Sequence, residues 1–136
     1  MLFEVKILPL IIGAVFNMIL GAMWYSPVLF AKPWMKEAGI TEDYVKVSQG
    51  KMGKVYVLTT VFAVITSYVI GLIITNMQIE SIFTGILVAF FVWIAFSFPM
   101  VVKNWGFEDR SIKLGIINHG YDLVVYIVVS ALFVVL

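Results

Sequence analysis

Hydrophobic residues are concentrated in four long segments of the chain, separated by short polar stretches. The segments cover about residues 7–30, 55–77, 82–102 and 114–136, and each carries at most one formal charge. An α-helix needs about 20 apolar residues to cross a bilayer, and lipid cannot satisfy an unpaired backbone. We therefore predict an all-α integral membrane bundle of four transmembrane helices that form a single domain.

The polar connection at residues 31–54 is long enough to have structure of its own. Gly39 suits the end of a helix, and Thr41 is an N-cap residue followed by an acidic first turn. We therefore predict one or two short amphipathic helices in this loop, lying at the membrane surface. Gly50 and Gly53 are expected to separate them from the second span.

Basic residues are distributed unevenly between the two sides of the predicted membrane. The connection 31–54 contains five lysines, and the connection 103–113 contains three Lys or Arg residues, whereas the opposite side has only Lys6. The positive-inside rule places the basic loops in the cytoplasm. This predicts a multi-pass protein of the cell membrane (inner or plasma) with both termini outside the cytoplasm.

Composition agrees with a membrane protein and excludes several other classes. Of 136 residues, 62% are hydrophobic and 12% are charged; the net charge is +1 and the mean hydropathy +1.07. A soluble domain is about 25% charged, so a soluble globule or a nucleic-acid-binding protein is not expected, and the expected surroundings are a lipid bilayer. Cysteine is absent and there is one histidine, so we expect no metal site and no cofactor.

Nothing in the sequence indicates catalysis. It shows no nucleophile paired with a base and no glycine-rich phosphate loop, so no residue is assigned a catalytic role.

Small and polar residues form a stripe along one face of each predicted helix. Such stripes are ordinary packing surfaces between membrane helices. In the first three spans they consist of Gly13, Asn17, Gly21 and Trp24; of Tyr56, Thr60, Ala63, Ser67, Gly71 and Thr75; and of Ser81, Gly85, Ala89 and Phe96. The face of Gly13 and Gly21 also invites a second copy, so we expect a homodimer.

The stripe of the fourth span is different because it includes ionisable residues. Asp122 lies nine residues after Lys113, some 13 Å along a helix and hence near the middle of the membrane. A lone carboxylate there costs about 2.5–3.5 kcal/mol, but His119 and Tyr126 are one turn away on either side and can bond to it. With Asn118 beside it and Asn17 on the first helix, the predicted polar intramembrane cluster is His119, Asp122, Tyr126, Asn118 and Asn17.

Two hypotheses account for this cluster. In the functional one it is a proton or cation relay, or a pocket for a small ligand, because intramembrane ionisable groups mark such paths. In the structural one, a buried His119–Asp122 pair locks the fourth helix to Asn17, Thr60 or Ser67.

Two motifs resemble those of the small four-helix membrane proteins called domain of unknown function 1761. The first runs through Gly21, Trp24, Tyr25, Ser26, Pro27, Lys32 and Trp34, and the second includes Asn118, Gly120 and Tyr121. The resemblance covers nearly the whole chain and implies a four-span membrane protein of bacterial type, without pointing to an activity. His119 and Asp122 fall at open positions of the family pattern, so a role common to the family would rest on Asn17, Trp24, Tyr25, Asn118 and Tyr121.

Permeation of a small solute or ion through a polar interior between the helices is therefore the leading functional hypothesis. The alternative is a non-transporting accessory or scaffold protein that acts by binding a partner.

Overall fold

The computed structural model describes residues 2–136, and helices form most of this part of the chain. They are α1 (Ile7–Trp24), α2 (Ala31–Ala38), α3 (Glu42–Ser48), a 3-10 turn (Gln49–Lys51), α4 (Met52–Asn76), α5 (Ile82–Phe96), α6 (Phe98–Glu108) and α7 (Ile112–Val135). Residues 2–136 contain no strand. Four stretches are long and apolar enough to cross a membrane, namely Ile7–Trp24, Glu42–Asn76, Ile82–Glu108 and Ile112–Val135. The predicted all-α membrane bundle is thus confirmed.

Helix α7 is the centre of the bundle, since it contacts α1, α4, α5, α6 and α2. It runs antiparallel to α1 and α5 and parallel to α4. The bundle therefore has two distinct ends. We call the end with the turn 77–81 the hairpin end, and the end with α2 and α3 the loop end.

The hairpin half of the bundle is tightly packed. Its core consists of Ile70, Ile74, Val125, Val129 and Phe133. The small residues of the predicted stripes allow this packing, since Ala63, Ser67, Gly71, Gly85 and Ala89 are all buried.

Gly13 and Gly21 face other helices of the same chain and not the outside. A Cβ atom on Gly13 would lie 2.6 Å from Oγ of Ser67, and one on Gly21 would lie 3.2 Å from the hydroxyl of Tyr121. The packing role predicted for these glycines therefore stands, but the expected face for a second copy is already occupied within the protomer.

Helix α1 ends at Trp24, earlier than the predicted limit at residue 30. Pro27 disfavours helical backbone at the residue before it and lacks an N–H group. The chain instead makes a turn in which the Phe30 amide bonds to the Trp24 carbonyl (3.0 Å), and α2 begins directly afterwards.

The two short helices expected in the long loop are present. Gly39 ends α2 with a φ of 69°, in the left-handed region that glycine favours, and Thr41 caps α3 by accepting a hydrogen bond from the Tyr44 amide (3.1 Å). The expected separation at Gly50 and Gly53 is absent, because the 3-10 turn leads directly into α4 and Gly53 lies inside that helix.

The third span is broken in its interior and continues to Glu108, beyond the predicted limit at residue 102. Helix α5 ends at Phe96 and α6 begins at Phe98, with Pro99 in the first turn of α6. Proline lacks the N–H group that would continue the helical hydrogen bonds, so the break occurs at Ser97.

The loop half of α4 is exposed, in contrast to its hairpin half. Residues 53–62 are all exposed, whereas Ala63, Ser67 and Gly71 further along are buried. Tyr56 and Thr60 continue the same helix face, so the packing predicted for this stripe occurs only from Ala63 onward.

Candidate functional site

The candidate site lies on α7 near its middle. His119 and Asp122 are one turn apart, and Nδ1 of His119 lies 3.0 Å from Oδ2 of Asp122. Their side chains are 21% and 31% exposed. The predicted pair is therefore formed, and it is only partly covered by the protein.

On one side of the pair, hydrogen bonds join α7 to α1. The Tyr121 hydroxyl donates to the backbone oxygen of Asn17 (2.7 Å) and also contacts its side-chain oxygen. The Tyr25 hydroxyl donates to Oδ1 of Asn118 (2.9 Å). Asn17 and Asn118 of the predicted cluster thus bind tyrosines and not the His119–Asp122 pair.

The family-motif residues build the loop end of this same contact. The Trp24 indole donates to the carbonyl of Ile117 (2.8 Å), and its ring lies beside Gly120. Ser26 donates to the carbonyl of Met23 (2.7 Å) at the end of α1.

Aromatic rings fill the space between α1, α2 and α7. The Tyr25 ring lies 5.3 Å from that of Trp34 and 6.1 Å from that of Tyr121, and the Trp24 ring lies 4.6 Å from that of Phe30. Lys32, in the first turn of α2, is exposed. The two motifs that carry the resemblance are therefore brought together across the α1–α7 contact.

On the other side of the pair, α5 and the junction between α5 and α6 supply polar contacts. The Tyr126 hydroxyl and Oγ of Ser97 are 3.2 Å apart, and the Trp93 indole donates to the carbonyl of His119 (2.6 Å). Ser97 was not among the predicted site residues. The signal that could have found it is Pro99, two residues later within an apolar span.

The three side chains that the structural hypothesis offered as alternative partners are bonded elsewhere. Asn17 binds Tyr121, Thr60 donates to the Tyr56 carbonyl (2.7 Å), and Ser67 donates to the Leu10 carbonyl (2.9 Å). None of these hydrogen bonds involves His119 or Asp122.

The pair is less completely covered than the residues further along the same side of α7. Asp122 lies on the side of α7 that, further along, presents Val129 and Phe133 to the core. Val129 and Phe133 are at most 4% exposed, whereas the His119 and Asp122 side chains are 21% and 31% exposed. In the loop half of α4, residues 53–62 are exposed as well.

Towards the hairpin end the contact between α7 and α4 is fully buried. Val125, Val129 and Ser130 on α7 and Ser67 on α4 are at most 1% exposed. Within residues 2–136, no group of three or more His, Asp or Glu side chains is placed to hold a metal ion.

The fold defines the class of protein. Four apolar helical stretches, with large hydrophobic side chains exposed along their outer surfaces, suit contact with a lipid bilayer, and an ionisable pair lies inside the bundle. This is the architecture of a small polytopic membrane protein.

Comparison with known families identifies this one. Residues 8–134 match the family described as "Protein of unknown function (DUF1761)", so the chain belongs to that family and the resemblance of its motifs is confirmed. Neither the curated proteins nor the solved structures contain a match to the chain.

Proposed function

We propose that this protein mediates permeation of a small solute or ion, with a proton or small cation bound at the His119–Asp122 pair. The observation that carries this proposal is that the pair bonds to itself, is partly exposed, and lies at mid-span on the inner side of α7. Ionisable groups in that position are costly, and they mark substrate, ion or proton pathways.

The broken third span supports the same proposal. Transport sites near the bilayer midplane are often formed by discontinuous helices. Here the break at Ser97 lies beside Tyr126, one turn from Asp122 on α7. The junction of α5 and α6 therefore lies about one helical turn of α7 from the ionisable pair.

The unequal halves of the bundle favour access from one side at a time. The pair is partly exposed in the loop half, while the packing around Val129 closes the hairpin half. Permeation then requires a second state in which the contact between α4 and α7 near Val129 opens. Such exchange between two states is the general basis of alternating access.

The accessory or scaffold role is the second candidate function, and α3 is the observation in its favour. Helix α3 has no buried residue, and its Val47 and Tyr44 side chains are 84% and 52% exposed. An exposed apolar surface outside the spans suits a protein partner.

Flux measurements in proteoliposomes distinguish the two functions. Under an imposed pH gradient or potassium diffusion potential, we expect the native protein to give a pH-dependent flux of protons or a monovalent cation. Asp122→Asn keeps a hydrogen-bonding group without an exchangeable proton, so it should fold normally and lose at least tenfold in flux. His119→Gln is the parallel variant.

Asp109→Asn is the matched control. Asp109 ends α6 in the left-handed conformation, which asparagine tolerates, and it is exposed at the loop end of the bundle. It should therefore leave the flux unchanged. Native flux in the Asp122→Asn protein would exclude the relay, and the absence of pH-dependent flux in the native protein would favour the scaffold function.

A further inference from the structure

The His119–Asp122 pair is covered over most of its surface and is bonded to itself. The two side chains are 21% and 31% exposed, and Oδ2 of Asp122 lies 3.0 Å from Nδ1 of His119. A solute or a hydrated metal ion would have to displace this cover before it reached the carboxylate. A proton needs no such space, because it moves on the side chains themselves.

The groups around Asp122 suit a proton better than a metal cation. An alkali-metal ion that leaves water needs several oxygen ligands in place of its hydration shell. The pair offers one carboxylate and one imidazole, and the neighbouring hydroxyls of Tyr121 and Tyr25 are bonded to Asn17 and Asn118. An imidazole beside a carboxylate, by contrast, binds and releases protons near neutral pH.

Tyr126 is the next residue on this face of α7 with an exchangeable proton. It follows Asp122 by one turn towards the hairpin end, and the two side chains interact electrostatically. Its hydroxyl lies 3.2 Å from Oγ of Ser97. Trp93, one turn before Ser97 on α5, donates to the carbonyl of His119. The contact with Ser97 therefore brings the Tyr126 hydroxyl back towards the depth of the pair, the direction in which long side chains of a helix point.

A small cavity adjoins Tyr126 on its hairpin side. Its volume is about 10 Å³, and it is lined by Tyr126, Ser130 and apolar side chains of α4 and α5, among them Ile70, Ile74 and Ala89. Such a volume holds about one water molecule and excludes a hydrated cation. A proton that has reached Tyr126 therefore needs only a narrow opening of the α4–α7 contact to meet water from the hairpin end.

We propose that the permeating ion is a proton, which the Tyr126 hydroxyl takes from the His119–Asp122 pair. The carboxyl proton of Asp122 bonds to the Tyr126 oxygen while the tyrosine's own proton leaves to water on the hairpin side. One O–H bond forms as another breaks, so no charge stays on the tyrosine, and rotation of the hydroxyl resets it. Ser97 is a positioning residue that holds this hydroxyl. The inference rests on the proposed permeation and specifies its ion and its route.

Ion selectivity of the native protein is the first test. Proteoliposomes contain a pH-sensitive dye, and a potassium diffusion potential set by valinomycin drives cations inward. We expect the interior to acidify at a rate that does not change when external sodium is replaced by N-methylglucamine. Uptake of radioactive sodium, and of rubidium without valinomycin, should not exceed that of protein-free liposomes.

The possible failures of this test are distinguishable. Uptake of sodium or rubidium without acidification would leave permeation standing and overturn the proton as its ion. The absence of any flux would reject the proposed function itself, and this inference with it.

Two variants that lose the same hydrogen bond test the role of Tyr126. Tyr126→Phe and Ser97→Ala both remove the 3.2 Å contact, so both should lower the melting temperature by a similar amount. Because only Tyr126→Phe removes the carrier hydroxyl, it should lower proton flux by about tenfold or more, and Ser97→Ala by about threefold at most. Equal losses in the two variants would show that the bond only holds the helices together. Native flux in Tyr126→Phe would show that the proton takes another path.

Tyr68→Phe is the matched control. The Tyr68 hydroxyl donates to the carbonyl of Phe3 (2.8 Å), so this variant also loses one tyrosine hydrogen bond, but in the hairpin half and away from the pair. Its proton flux should equal that of the native protein. A loss as large as that of Tyr126→Phe would show that any such bond matters equally, and would overturn the route through Tyr126.

Discussion

At the level of single residues, glycine determines how closely these helices approach. A Cβ atom on Gly115 would lie 2.6 Å from Cγ1 of Val101, and one on Gly71 would lie no more than 3.0 Å from three atoms of the Phe133 ring. Phe133 is itself 4% exposed, so its ring has little room to move. The α4–α7 contact therefore depends on the absence of a side chain at Gly71.

Replacing this glycine should destabilise the bundle. We expect Gly71→Ala to lower the free energy of unfolding by about 1–3 kcal/mol, the usual cost of overpacking, as measured by equilibrium unfolding in mixed micelles.

Gly106→Ala is the matched control, because a Cβ atom there meets nothing within 4 Å. It should be neutral or stabilise α6 by up to about 1 kcal/mol. Equal effects of the two substitutions would contradict the role given to Gly71.

Residue spacing predicts contacts within one helix much better than contacts between helices. His119 and Asp122 are three positions apart on α7, and their pairing follows from helical geometry alone. The bond from Tyr121 to Asn17 joins residues 104 positions apart. Helix stripes place both residues on inner faces, but the relative height and rotation of α1 and α7 decide which side chains meet.

At the level of elements, strong local signals determine where the helices end. The Thr41 hydroxyl accepts a hydrogen bond from the Tyr44 amide at the start of α3, and Pro27 lies three residues after the end of α1 at Trp24. Where one residue disfavours a helix and its neighbours favour one, the residue alone does not predict where the helix ends. Gly53 is a helix breaker by propensity, yet it lies within α4, since one glycine costs only about 1 kcal/mol in a helix of 25 residues.

The N-cap at Thr41 gives an element-level prediction. Helix α3 has no buried residue, so its stability rests largely on local interactions. Thr41→Ala should cost this helix about 1 kcal/mol, which corresponds to about fivefold faster amide hydrogen exchange in residues 42–48.

Thr41→Ser retains the hydroxyl acceptor and should exchange at nearly the native rate. Exchange in α7, measured in the same experiment, should not change in either variant. Native exchange rates for α3 in the alanine variant would show that something other than the cap holds this helix.

At the level of the whole molecule, the two halves of the bundle differ in a way that the stripes alone do not show. The α4 stripe from Tyr56 to Thr75 has the same small and polar character along its length, but only Ala63, Ser67 and Gly71 are buried. Periodicity gives the direction of a helix face, whereas the tilt between two helices decides how far along that face they stay in contact. The exposure of the loop half of α4 therefore could not be predicted from the sequence.

The orientation of the bundle in the membrane is the last prediction. Eight basic residues lie in the two connections at the loop end, while Lys6 is at the hairpin end. The positive-inside rule places the loop end in the cytoplasm and both termini outside.

Lys46, Arg110 and Gln78 are exposed, and the cysteine-free chain allows single labels at each. With a membrane-impermeant maleimide on intact cells, Gln78→Cys should be labelled, whereas Lys46→Cys and Arg110→Cys should react only after permeabilisation. Reversed labelling of all three would invert the topology, and labelling of Gln78→Cys and Lys46→Cys from the same side would contradict a second span.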